Sequence, residues 1–585
     1  MSLVTVDDLS VRFGASTVVS GVSFSVEEGE CIGIVGESGS GKSVTARALL
    51  GLAGRRAVVS AAALDVDGTD MRTASPRQLR ALRGREIGYV SQGALVALDP
   101  LRPVGREISD SLRLHTTMTP VERRARVLEL LADVGVPEPS LRAGQRPDEL
   151  SGGLRQRAVI ASAIALRPRL LIADEPTTAL DSTVQAGILD LLERLRDAGT
   201  AVILISHDLA VVSRLATRVL VMNAGTIVES GPTARVLGEP RHPYTRRLIA
   251  AVPTDRPRGT RLTPAVAAAP AAVSTAAGSP VAAPVAAPVV APVGNSGTAV
   301  ADDTESGVST PGATATPEFP KTPGDAGGRA VVVAASRLSR RFGARLAVDD
   351  VSFTLERGRT LGVVGESGSG KTTVARLVLA LDRPDAGDVH VLGEPWTTAT
   401  ERERRALRPR IGAIYQDALS SFDPRFTVGR ILADAVSHGR STRAGDEVAA
   451  LLRRVGLDPA VAARRPLYLS GGQQQRVAIA RAIAAKPDVI VCDEPVSSLD
   501  VSVQAQVLDL LDEQQRDLGI SYLFITHDLG VVRHVSDDVL VMQHGRVVES
   551  GPTERVFADP RDPYTRALFA SAPRIGGWRA PTPPS

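Results

Sequence analysis

The octapeptide GESGSGKS at 36–43 recurs as GESGSGKT at 365–372, and no other feature of the sequence restricts the fold as much. Each copy follows a short apolar run, CIGIV or LGVV, and precedes a segment of helical spacing, VTARALLGL or TVARLVLAL. A glycine-rich loop between a buried strand and a helix turns backbone N–H groups toward an anion, and the helix N-terminus adds its dipole. Only four lysines occur among 68 Lys plus Arg, and two of them, Lys42 and Lys371, hold the same place in the two loops. A compact ammonium is a point charge, which a forked guanidinium is not.

The repetition extends well beyond the loops. LSGG begins at 151 and 470, DEP at 174 and 493, SHDL or THDL at 206 and 526, and PYTR at 243 and 563. Two homologous units are therefore expected, 1–255 and 330–585, joined by an Ala/Pro/Val-rich segment over 256–329. From Leu262 to Ala301 that segment has no charged residue, yet Pro264, Pro270, Pro280, Pro284, Pro288 and Pro292 interrupt it. So many breaks argue against a membrane helix and for a disordered or polyproline-like linker. Within each unit, apolar runs such as LLIAD, VIVCD, AVILISHD and SYLFITHD alternate with helical segments, which predicts an α/β fold around a mostly parallel, covered sheet.

Charge and cysteine usage narrow the functional classes. A net charge of +3 spread over 585 residues, without a lysine block or arginine tract, predicts no nucleic-acid partner. Cys31 and Cys492 stand in apolar runs, so no disulfide framework is expected and a reducing compartment is favoured. The start MSLVTVDDLS has no basic region followed by an apolar core, which predicts no export signal and a cytoplasmic protein.

The chemistry follows from the motifs. G-x-x-x-x-G-K-[ST] between strand and helix is a phosphate-binding loop. Gly36, Glu37, Ser38, Gly39, Ser40, Gly41, Lys42 and Ser43 form the first, and Gly365, Glu366, Ser367, Gly368, Ser369, Gly370, Lys371 and Thr372 the second. The lysines reach the β- and γ-phosphates, and Ser43 and Thr372 reach Mg²⁺. Asp174 and Asp493 end apolar strands and are expected to hold the Mg²⁺ shell, with Glu175 and Glu494 next to them as bases for water. LSGG begins a helix with a serine cap and two glycines, a second place for an anion.

In their order and spacing, GESGSGKS, LSGG, ADEPTTALD and SHD, with GESGSGKT, LSGGQQQ, CDEPVSSLD and THD, resemble the nucleotide-binding domains of ATP-binding-cassette proteins along both units. The resemblance implies two P-loop NTPase domains, each with a mostly parallel core sheet, a helical subdomain and an antiparallel β subdomain, and ATP and Mg²⁺ as ligands. It implies a head-to-tail dimer of the two units, in which Ser151, Gly152 and Gly153 serve the nucleotide on Lys371 and Ser470, Gly471 and Gly472 the one on Lys42. His207 and His527 match the family's switch histidine, Gln92 and Gln416 its Q-loop glutamine near Mg²⁺, and Phe13 and Phe342 its aromatic platform for adenine. Leu154 replaces the family's glutamine, which Gln473 retains, so the site that uses the first LSGG is expected to lose a side-chain hydrogen bond.

RHPYTRRL at 241–248 and RDPYTRAL at 561–568 resemble the C-terminal motif of oligopeptide, dipeptide and nickel importer ATPases. That branch implies an energy-coupling ATPase at the cytoplasmic face of the membrane, partnered by transmembrane permease subunits and an extracytoplasmic substrate-binding protein. No cysteine follows either PYTR copy, so the iron–sulfur cluster of some members is not expected. The alternatives are a soluble duplicated ATPase acting on ribosomes or nucleic acid, which basic arms and a charged linker would favour, and an exporter ATPase, against which the PYTR segments speak.

Overall fold

A computed structural model of the chain describes residues 2–54, 56–91, 97–177, 180–254, 256–263, 329–439, 444–497 and 499–572. Gln92 and most of the expected linker, 264–328, lie outside the described residues.

Each copy builds the same six-stranded sheet. The first runs Thr226–Pro232, Arg218–Asn223, Cys31–Val35, Ala201–Ile205, Leu170–Asp174, Ile87–Val90. The second repeats that order as Arg546–Pro552, Asp538–Gln543, Thr360–Val364, Ser521–Ile525, Val489–Asp493, Ile411–Ile414. All pairings are parallel except the hairpin at one edge of each sheet. The central strands CIGIV, LLIAD and AVILI are buried at every position because both faces are covered, so they read as unbroken apolar runs. Cys31 and Cys492 stand in these strands, free and buried. Burial pushes the Cys31 thiol up to about 12 and the Cys492 thiol upward as well, which leaves both unreactive.

A second, antiparallel sheet packs against each core. It comprises Ser16–Glu27, Ser2–Phe13, Ala63–Val66 and Thr69–Asp70, with Ala57–Ser60 also paired to Ser2–Phe13, and in the second copy Arg345–Glu356, Val331–Phe342, Ala386–Val391 and Glu394–Pro395. Leu9, Val26, Ile32, Leu49 and Ile203 join the two sheets of the first copy in one apolar cluster. Three helices form a further layer, Val104–His115, Pro120–Asp133 and Gly152–Ala163, matched by Val428–Ser437, Gly445–Arg454 and Gly471–Ile483. Pro120–Asp133 starts where Thr119 and Glu122 satisfy each other's backbone N–H in a capping box. Both copies belong to one compact unit, and one cluster of buried apolar side chains runs through both. Among the described residues no helix is long and apolar enough to cross a membrane.

The parallel strands place the chemistry. Cys31–Val35 lies between Ala201–Ile205 and Arg218–Asn223, so the glycine loop, the carboxylates after Leu170–Asp174 and the histidine after Ala201–Ile205 leave the same sheet edge.

Candidate active site

The two glycine loops fold alike because their backbones demand glycine at the same places. Gly36 has φ 151° and Gly365 φ 149°, and a Cβ on either would run into the carbonyl of Met222 or Met542. Lys42 Nζ donates to the carbonyls of Gly36 and Glu37 at 2.7 and 2.8 Å, and Lys371 Nζ to those of Gly365 and Glu366 at the same distances. Both ammonium groups are buried. Burial lowers the pKa of each, opposed by the charges of Glu175, Asp500 and Asp174 around Lys42 and of Glu494, Asp181 and Asp493 around Lys371. Ser40 Oγ is buried within the first loop without a hydrogen-bond partner, a donor left open in a ring of N–H groups that suits an anion.

Beside each loop stands a hydroxyl–carboxylate pair. Ser43 Oγ donates to Asp174 Oδ1 at 3.0 Å, and Thr372 Oγ1 to Asp493 Oδ1 at 3.3 Å. Burial, followed by other influences including the neighbouring Glu, raises both aspartates above the usual carboxylate range. Tyr89 OH donates to the other oxygen of Asp174 at 3.2 Å. Ala413 takes that place in the second copy, so the two sites are not identical.

Glu175 and Glu494 follow at once, with φ 52° and 50°. A non-glycine residue in the left-handed region is strained, and both copies keep that conformation at the same glutamate, as they also do at Asp8 and Arg337, Arg167 and Lys486, and Ala224 and His544. Each backbone N–H is held at 2.9 Å by a neighbouring strand's carbonyl, Ile205 or Ile525. The side chains meet the histidines, His207 Nδ1 lying 3.3 Å from Glu175 Oε1 and His527 Nδ1 3.2 Å from Glu494 Oε1. Burial alone would lower both histidines, but the bond to and charge of the glutamate raise them above the ordinary value. Burial works to raise Glu494, yet His527 and Lys371 bring it below its ordinary value. Gln416 Nε2 donates to Glu494 Oε2 at 2.9 Å.

In the second copy these groups line one cavity of about 440 Å³, shared by Phe342, Lys371, Thr372, Gln416, Glu494 and His527. Phe342 is 47% exposed, with the Arg340 guanidinium over its ring 4.9 Å from the centre, and is not a core residue. Phe13, its counterpart, is partly buried against the core of the first copy.

Ser151 and Ser470 each accept the backbone N–H three residues on at 3.4 Å, as helix caps do. Gly153 and Gly472 are required by packing, since a Cβ would press on Val184 or Val503 of the next helix, while Gly152 and Gly471 are exposed. Gln473 Oε1 accepts the Ser470 N–H at 3.2 Å and closes a capping box that Leu154 cannot form. The Gln473 side-chain oxygen is thus engaged by its own helix cap.

The first copy also reaches the second copy's cavity, through Asp181 rather than through Ser151, Gly152 and Gly153. Asp181 Oδ2 accepts the Ser367 backbone N–H at 3.2 Å, and Ser182 Oγ donates to the His527 carbonyl at 3.5 Å. Residues 256–263, grouped by sequence with the linker, lie on the second copy. Leu262 and Thr263 give their backbone N–H groups to buried Asp509 at 2.9 Å each, Arg258 pairs with Asp537 at 2.5 Å and with Gln515 at 2.9 Å, and Arg261 pairs with Glu513 at 3.2 Å. The first copy has Arg194, Arg196 and Thr217 where the second has Glu513, Gln515 and Asp537, so this basic strap is charge-matched to one copy only. Sequence reasoning missed Asp181, Tyr89 and the strap. ADEPTTALD contains Asp181 but does not show what it touches.

Comparison with known proteins agrees with this geometry. The family model described as "ABC transporter" matches residues 19–178 and 348–497, and that of "Oligopeptide/dipeptide transporter, C-terminal region" matches 228–280 and 548–584. The peptidoglycan transport ATP-binding protein YejF of Agrobacterium fabrum is 43% identical over 97% of this chain and 96% of its own. The oligopeptide transport ATP-binding protein OppD of Mycobacterium tuberculosis is 42% identical over 98% of each chain. The glutathione import ATP-binding protein GsiA of Escherichia coli K12 is 40% identical over 98% of this chain and 90% of its own. The chain belongs to the ABC transporter family and carries two of its ATP-binding, ATP-hydrolysing domains.

Proposed function

We propose that this protein is the energy-coupling ATPase of an importer for peptides or related small solutes. It works at the cytoplasmic face of a membrane on permease subunits that receive cargo from an extracytoplasmic substrate-binding protein. The observation that carries the reading is that both copies set a lysine loop, a hydroxyl–aspartate pair and a glutamate–histidine pair on one sheet edge, and both end in the peptide-transporter C-terminal region. The names of the relatives, which span peptide, glutathione and peptidoglycan transport, support the cargo class.

The loop N–H groups with Lys42 or Lys371 bind the phosphates. Ser43 with Asp174, and Thr372 with Asp493, would hold Mg²⁺, with Gln92 and Gln416 next to it. Among the described residues no group of three or more His, Cys, Asp or Glu is placed to hold a metal, so nucleotide and water would have to supply the ion's remaining oxygens. When bound, Mg²⁺ neutralises charge on the transferring phosphate. Glu175 and Glu494 take the proton of the attacking water, and His207 and His527 hold those carboxylates in place. The Asp181–Ser367 contact supports a head-to-tail arrangement, in which Ser151, Gly152 and Gly153 face the nucleotide on Lys371 and Ser470, Gly471 and Gly472 the one on Lys42.

The test is reconstitution of the chain with its permeases in vesicles, with the substrate-binding protein and labelled peptide on one side and ATP on the side of this chain. The expected result is peptide movement toward the ATP side. Movement away from it would make the protein an exporter subunit, and ATPase activity indifferent to any permease would remove it from transport.

A further inference from the structure

The duplicated PYTR segments have a physical role that their letters conceal. Tyr244 OH accepts the backbone N–H of Glu37 at 2.9 Å, and Tyr564 OH accepts that of Glu366 at 3.0 Å. The other end of the same peptide unit is the carbonyl of Gly36 or Gly365, which accepts from Lys42 Nζ or Lys371 Nζ at 2.7 Å. One rigid peptide plane thus joins a C-terminal tyrosine to the phosphate-loop lysine.

The aim of each tyrosine is set independently in the two copies. Glu229 accepts the N–H groups of Arg241 and His242 at 2.9 and 3.0 Å, and Glu549 those of Arg561 and Asp562 at 3.0 and 3.1 Å, which ties the turn to the sheet edge. A proline then opens the helix. The cap differs, His242 Nδ1 accepting the Tyr244 N–H at 3.2 Å and Asp562 Oδ1 the Tyr564 N–H at 2.8 Å, yet the hydroxyl arrives at the same N–H. Burial pushes both phenols up to about 12, so the hydroxyls stay neutral at working pH.

We propose that Tyr244 and Tyr564 are positioning residues for ATP binding, each fixing, through the peptide between residues 36 and 37 or 365 and 366, the place of the loop lysine. The inference rests on the reading of these loops as the phosphate sites. It gives the C-terminal region a direct hold on nucleotide affinity, so that whatever moves this region changes ATP binding.

The test is steady-state ATPase kinetics and titration with a fluorescent ATP analogue, on the full chain carrying Tyr244→Phe, Tyr564→Phe or both. Phenylalanine keeps the ring and its packing and removes only the hydroxyl, and with it the acceptor for the Glu37 or Glu366 N–H. The expected result for the double variant is a KM for ATP raised about two- to tenfold, matched by weaker analogue binding, with kcat within about twofold. Tyr564→Phe added to Lys371→Ala should then have little further effect, because the tyrosine acts through that lysine. An unchanged KM, or a change confined to kcat, overturns the inference. Lys42→Ala with Lys371→Ala separates the two levels. If that variant loses analogue binding while the phenylalanine variants keep it unchanged, the loops are phosphate sites and the tyrosine role is wrong. If the lysine variant binds normally, the site reading fails and takes the tyrosine role with it.

Discussion

Asp181 accepts the backbone N–H of Ser367 at 3.2 Å with one carboxylate oxygen, while the other, accepting the Val184 N–H at 2.9 Å, caps the helix that follows. One residue of the first copy thereby begins its own helix and touches the second copy's phosphate loop. Its charge also supports the ammonium of Lys371. Asp181→Asn keeps one oxygen for the helix cap but loses the charge and puts an NH₂ donor in place of the oxygen that accepts the Ser367 N–H. The expected result is a melting temperature close to the parent's and ATP turnover reduced roughly three- to tenfold. Unchanged turnover would make the contact incidental.

The strap over 256–263 makes a second prediction. Asp509→Ala leaves the N–H groups of Leu262 and Thr263 without their acceptor, at a cost of about 2–4 kcal/mol. A protease site placed within 264–328 lets the full chain be cut after folding. Gel filtration without nucleotide should show the parent's halves eluting together and those of the Asp509→Ala variant separating. Gly530 supports the same reading, because a Cβ there would press on Thr254, whereas the first copy has Ala210 at this place.

The glutamate–histidine pairs predict a pH dependence of stability. His527 is raised above its ordinary 6.5, so its contribution is complete below about that pH and is lost as pH climbs through the raised folded value. Glu494 is lowered from 4.5, so its contribution is present above that value and is lost as pH falls through the lowered folded one. The pair therefore stabilises most between about pH 4.5 and 6.5. Thermal melts of the parent and of His527→Gln should differ most there and converge as pH rises beyond the raised folded value of His527. A difference that grows with pH would contradict the assignment.

Leu154 is expected to matter little to turnover. Gln473 bonds its own helix cap, and Leu154 packs against the core. Leu154→Gln exchanges that packing for a capping box. The expected result is a stability change within about 1 kcal/mol and ATP turnover within about twofold of the parent. A larger change in turnover would restore the glutamine to the nucleotide site.

Much of the site could be read from sequence, because its parts are local. A loop, a strand end and a cap are each set by adjacent residues, and duplication marks Lys42, Ser43, Asp174, Glu175 and His207 by their counterparts. The order of the parallel strands then brings these parts together. What escaped reading depends on contacts between distant segments. Tyr244 meets Glu37 and Asp181 meets Ser367 across most of a domain or between copies, and no spacing rule reports such meetings. Tyr89 is invisible for another reason, since its partner Ala413 breaks the repeat and a tyrosine in a strand reads as packing. The strap falls at the start of the segment that reads as an Ala/Pro/Val-rich linker, and only the acidic face of the second copy gives it a place.

In the proposed function Glu175 and Glu494 are the bases of two working ATP sites. The direct test is phosphate release by the full chain carrying Glu175→Gln with Glu494→Gln, measured beside binding of a fluorescent ATP analogue. The predicted result is binding equal to or tighter than the parent's, with phosphate release lowered about a hundredfold or more. Phosphate release at the parent's rate from that double variant would contradict it.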